Sequence, residues 1–156
     1  MVKQIIRILV MAIVVNTMSV AHSADLVLDD DSKKLVMCMN TFAYAANVFL
    51  LQDKEGAAKS MILQQSRSQA LLFSKHYIDG RIPSEAVGAF NQEGSKVKNY
   101  LDKNPTKIIV GVDGCVLFVN KFEARNEKHN IKMWGKSIDE LTIYGAEKGR
   151  QAIGLE

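Results

Sequence analysis

The segment 104–122, NPTKIIVGVDGCVLFVNKF, decides the fold, because it reads either as one helix or as two strands. Ile108, Ile109, Val112, Cys115, Val116, Val119 and Phe122 recur at intervals of one, three and four, an apolar stripe along a helix. Asn104 followed by Pro105 suits a helix start, with Asn at the cap and Pro in the first turn, where its missing N–H costs nothing. Against this, Asp113-Gly114 separates two runs rich in β-branched residues, 108–112 and 115–119, as in a two-residue hairpin. A lone hairpin in a helical chain is marginal unless it is packed. The helical reading is preferred, and the chain is expected to be all-α.

The flanking sequence agrees. Four aspartates, Asp25, Asp29, Asp30 and Asp31, precede an apolar face at Leu35, Cys38, Met39, Phe42, Ala45, Ala46 and Phe49. This spacing predicts a first helix over about 32–52, with acids at the end where the helix dipole favours them. Gly56 separates it from a second helix over about 57–77, whose face is Ala58, Ile62, Gln65, Gln69, Leu72 and Phe73. Asp79-Gly80 stops that helix, and Ile82 before Pro83 is pushed away from helical geometry. A third helix starts at 83 or 84 and closes at 102–104, weakened by Gly88 and Gly94 at about 1 kcal/mol each. Residues 123–136 are polar and mixed, with Trp134-Gly135 among them. Ser137-Ile138-Asp139-Glu140 has the capping-box pattern, and a last helix follows through Leu141 and Tyr144, expected to fray at Gly145, Gly149 and Gly154. No internal repeat is evident. The expectation is a single bundle of four to five helices over residues 24–156.

Residues 1–23 read as a removable export signal. Lys3 and Arg7 form a positive start, Ile8 to Val15 is an unbroken apolar run of eight, and small residues follow at Ser19, Ala21 and Ser23. Eight is far short of the ~20 residues of a bilayer span. No second apolar segment is expected to approach that length, and the mature chain is expected to be periplasmic or secreted, without stable membrane insertion. With Lys3 and Arg7 removed, 18 basic residues face 17 acidic ones. That balance argues against a nucleic-acid binder. The mature chain has two cysteines, Cys38 and Cys115, and in an oxidising compartment they are expected to form one disulfide joining the first and fourth helices.

No catalytic motif accompanies this scaffold. GxSxG, HExxH, CxxC, CxxCH and phosphate-loop patterns are absent. His76 lies near the end of the second helix, where a cation suits the dipole, and His129 in a polar stretch is expected to be solvated. Met37-Cys38-Met39 brings soft sulfur together, but consecutive helical residues diverge and do not converge on one copper ion. Asp29-Asp30-Asp31 lacks the ligand spacing of a calcium loop. No metal ligand set and no cofactor are expected.

What remains is the amide- and hydroxyl-rich face of the second helix, Gln64 to Gln69, and the loop Asp79-Gly80-Arg81-Ile82-Pro83. Gln65, Gln69 and Arg81 are the candidate binding residues, although a hydrophilic outer face beside a plain connector is the preferred account. The expected function is a non-enzymatic interaction protein of the periplasm or cell envelope, such as an inhibitor, immunity or accessory factor, with another protein as partner. A bundle holding a small ligand, metal or haem is the first alternative. An enzyme with an unrecognised site is the second.

Overall fold

A computed structural model describes residues 26–126 and 132–155. The expected signal and His129 lie outside the described residues. Helix α1, Asp30–Leu51, begins where Asp29 accepts a hydrogen bond from the Ser32 N–H at 2.8 Å, with Asp30 and Asp31 in the first turn. A short connection through Asp53 (φ 55°) leads to α2, Glu55–His76. Helix α3 is Ser84–Lys103, a 3-10 turn follows at Pro105–Lys107, and α4 is Ile108–Asn126. Helix α5, Ile138–Ala152, starts on the Ser137–Glu140 capping box.

Helix α1 is central. It packs most broadly against α2 and also against α3 and α4, while α5 lies on α2. Its buried side chains, among them Leu35, Val36, Phe42, Ala45 and Ala46, therefore point in several directions. Leu71 and Leu72 of α2, Phe90 of α3, and Val119 and Phe122 of α4 complete the main core. Cys38 and Cys115 form a disulfide inside it, with Cα atoms 5.1 Å apart and both residues buried.

The ambiguous segment is a helix. Ile108, Cys115, Val119 and Phe122 are all buried and form the face of α4 that packs inward, with Val112 and Val116 half-buried beside them, whereas Ile109, expected on the same stripe, is exposed. Two strands would alternate these side chains between faces and divide the stripe. The helix penalty of β-branched residues is below about 1 kcal/mol each, whereas burying each such side chain contributes about 1.5–3 kcal/mol.

One open boundary is fixed and two expectations are corrected. Helix α4 runs to Asn126, past the end of its apolar stripe, because its polar last turns find partners: Glu123 pairs with Arg67 of α2 and Arg125 lies 3.7 Å from Asp31. The start of the polar segment 123–136 is thus helix. Secondly, α5 does not break at its first two glycines. A Cβ on Gly145 would overlap the Ser66 hydroxyl of α2, and one on Gly149 would lie 2.9 Å from Ile62 Cγ2. Those glycines let the two helices approach closely, and Gly154 (φ 73°) ends the element instead. Thirdly, α1 is long and apolar enough, by length and composition, to cross a membrane. A core helix has the same composition, and the complete burial of Leu35, Val36, Cys38 and Phe42 is what the apolar residues of α1 provide here.

Candidate functional site

Two tight turns of one design stand next to each other. In the first, the Ile78 N–H donates to the Arg81 carbonyl at 2.8 Å and the Arg81 N–H donates back to the Ile78 carbonyl at 3.1 Å. Asp79 and Gly80 between them have φ of 50° and 81°. In the second, Met133 and Lys136 exchange the same pair of bonds at 2.9 Å, around Trp134 (φ 51°) and Gly135 (φ 76°). Positive φ at both central residues, closed by reciprocal bonds, is the type I′ geometry that favours Asn, Asp or Gly. Asp79-Gly80 meets that preference. Trp134 does not.

A bulky residue in the left-handed region costs about 1–2 kcal/mol. Three features hold Trp134 there. Met133 beside it is fully buried and anchors the turn. The Trp134 N–H donates to the Tyr77 hydroxyl at 3.1 Å. The Tyr77 and Trp134 rings meet edge-to-face, 5.2 Å between centroids. Trp134 nonetheless remains 54% exposed. Ile78 and Arg81, in the turn that follows Tyr77, are also exposed. Lys136 ends the second turn and sits over the exposed Tyr144 ring of α5, 4.6 Å from its centroid. The result is an exposed run of aromatic and cationic groups carried by two short, hydrogen-bonded turns.

The start of α1 is tied to the end of α2 by a polar cluster. Ser32 Oγ lies 2.8 Å from His76 Nε2, and Lys75 pairs with Asp29 at 2.9 Å. A hydroxyl against an imidazole suggests an activated serine, but Ser32 is wholly buried in the first turn of α1, where a substrate does not reach it. His76 also meets the Phe90 ring edge-on at 5.0 Å, so the imidazole is packing as well as bonding. Burial lowers the His76 pKa, with the Lys75 charge adding to it and the Asp29 charge opposing. Partial burial raises the Asp29 pKa, but the Ser32 bonds and the Lys75 ammonium outweigh it and hold the carboxyl at about 2.

The sequence-derived candidates lie apart. Arg81 is exposed in the first turn, whereas Gln65 and Gln69 are half-buried on α2. They precede Tyr77 by twelve and eight residues, roughly 18 and 12 Å along the helix axis. No hydrogen bond or ion pair among the described residues joins them to Arg81. The polar face between them is not an outer surface throughout: Ser66 is buried and donates to the Thr142 carbonyl of α5 at 2.8 Å, and Ser68 is fully buried. Among the described residues no three His, Cys, Asp or Glu side chains are grouped to hold a metal. An open depression of about 490 Å³ lies at the far end of α5, lined by Glu147, Arg150, Gln151, Gly154 and Leu155.

Sequence reading passed over Trp134 and Tyr77. A signal was present: Ile78-Asp79-Gly80-Arg81 and Met133-Trp134-Gly135-Lys136 share an apolar–X–Gly–basic order, and the chain's one tryptophan occupies the X position of the second. Comparison with protein-family models, curated proteins and solved structures finds no match to this chain.

Proposed function

We propose that this chain is a small exported protein of the periplasm or cell envelope that works by binding another protein, as an inhibitor, immunity factor or accessory factor does, through the surface around Trp134. Trp134 carries the reading. It is a large aromatic side chain held out to solvent in a backbone conformation that opposes it, by a turn and a tyrosine that leave it little freedom. Trp, Tyr and Arg dominate the energetics of protein interfaces, and an anchor already fixed in place loses little entropy on binding. Tyr77, Ile78 and Arg81 extend the same surface. The charge–apolar–small order of residues 1–23 and the single disulfide support export.

The test is quantitative capture of the tagged mature protein and of its Trp134→Ala variant from the periplasm of the native host. One stoichiometric protein is expected with the parent chain. Its recovery should fall by about tenfold or more with the variant, as for truncation of a central hot spot, while circular dichroism stays the same. Equal recovery with both chains would remove Trp134 from the interface. Recovery of no protein would overturn the reading and turn attention to a small ligand.

A further inference from the structure

The face of α4 turned away from α1 has no partner among the described residues. Val110 is 74% exposed and Leu117 61%. Asp113, Gly114, Lys121 and Ala124 on the same side are exposed as well. Val110, Gly114, Leu117, Lys121 and Ala124 follow one another at steps of four, three, four and three, the spacing of a seam that meets another helix, and Asp113 lies beside Gly114. Among the described residues, and apart from the backbone of α4 itself, nothing lies within 4 Å of the position a Cβ would take on Gly114, so another backbone can come close there. Neither Asp113 nor Lys121 takes part in an ion pair among the described residues.

We propose that two copies of this chain pair through this face, their α4 helices antiparallel about a twofold axis at Leu117. The pattern of the stripe names the occupant. Asp113 and Lys121 stand four residues either side of Leu117, and Val110 and Ala124 seven residues either side. An antiparallel pair centred there sets Asp113 of each copy against Lys121 of the other, Val110 against Ala124, and Leu117 against itself. Acid meets base twice, and apolar meets apolar three times. A parallel pair would oppose Asp113 to Asp113 and Lys121 to Lys121. A shift of one turn would separate both ion pairs. The surface is thus self-complementary in the sense that a twofold interface requires. One helix crossing buries less than a standard interface, so the pair forms weakly. Cys115 and Val119 face the core, so the outer stripe pairs without disturbing it.

Sedimentation equilibrium of the mature chain over a concentration series tests the pairing. The parent chain is expected to move from monomer to dimer. Asp113→Lys and Lys121→Asp should each weaken self-association by about tenfold, because each replaces both ion pairs by like charges. Mixed in equal amounts, these two variants should form a heterodimer, since every lysine of one then faces an aspartate of the other. A chain carrying both changes should recover homodimerisation. Leu117→Asp should leave only monomer. All of these positions are exposed, and circular dichroism should confirm an unchanged fold. A parent chain that stays monomeric up to about 1 mM overturns the proposal, and leaves the stripe to a different protein. Dimers indifferent to the reversals, or reversed pairs that fail to recover, overturn it equally.

Discussion

Asp29 and His76 show how single side chains set the conditions under which this fold holds. Both have folded pKa values below their ordinary ones, so the native state binds their protons more weakly than the unfolded chain does. The contribution of His76 is complete above its ordinary value of 6.5 and is lost as pH falls through its lowered folded value. That of Asp29 is complete above 3.8 and is lost as pH falls toward about 2. Urea unfolding across pH should therefore show stability declining in two stages on acidification. His76→Gln should remove the upper stage and Asp29→Asn the lower; profiles unchanged by either substitution would contradict the assignment. Trp134 belongs to the same scale. Its conformation is locally unfavourable, and the Tyr77 hydroxyl and ring offset that cost with a bond and a contact across 57 positions of sequence.

At the scale of elements, helical glycines act according to what they face. Gly88 on α3 has open space where a Cβ would go, and Gly145 on α5 has the Ser66 hydroxyl. Gly88→Ala should raise stability by about 0.5–1 kcal/mol, the ordinary gain of alanine over glycine in a helix. Gly145→Ala gains the same backbone advantage. It also drives a methyl into a buried hydroxyl already committed to the Thr142 carbonyl. Overpacking of that kind costs about 1–3 kcal/mol, so a net loss of about 1–2 kcal/mol is expected. Chemical denaturation of the two variants checks the opposite signs. A stabilised Gly145→Ala chain would show that α5 does not sit on α2 as closely as described. Helix α4 makes the related point that intrinsic preference yields to burial: its β-branched residues favour strand, yet the stripe they form has a long apolar surface to cover.

Across the whole molecule, the Cys38–Cys115 bond is the one covalent tie between the first and fourth helices, closing a separation of 77 residues. Chain entropy alone assigns about 4.5 kcal/mol to such a loop, and measured effects commonly fall below the model. The double substitution Cys38→Ala/Cys115→Ala should cost about 3–4 kcal/mol, read as a lower urea midpoint. Against a total of about 5–15 kcal/mol, that leaves a marginal domain. The intact mass of the protein from its native host, alkylated with and without reduction, gives a second readout. Two thiols alkylated before reduction would show that the tie is not formed in the cell. The tie also fixes α4 against α1, which keeps the inner stripe buried and the Val110–Leu117 side turned outward.

Much of this architecture is legible in the sequence, because it is written in local terms. Helix spans follow from three–four spacing, the start of α5 from a capping box four residues long, and the disulfide from a cysteine count of two behind a segment that reads as an export signal. The candidate surface is legible only in part. Arg81 stands in a turn that Asp79-Gly80 announces, but Trp134 looks like one residue of a polar connector until Tyr77 is brought beside it. The glycines of α5 look like weak points until Ile62 and Ser66 are placed opposite them, and Ser32 looks like an ordinary first-turn residue until His76 reaches it. Caps and periodicity depend on residues a few positions apart and can be read along the chain. Strain, close approach and paired polar groups depend on segments tens of positions apart, whose meeting is decided by how the helices dock.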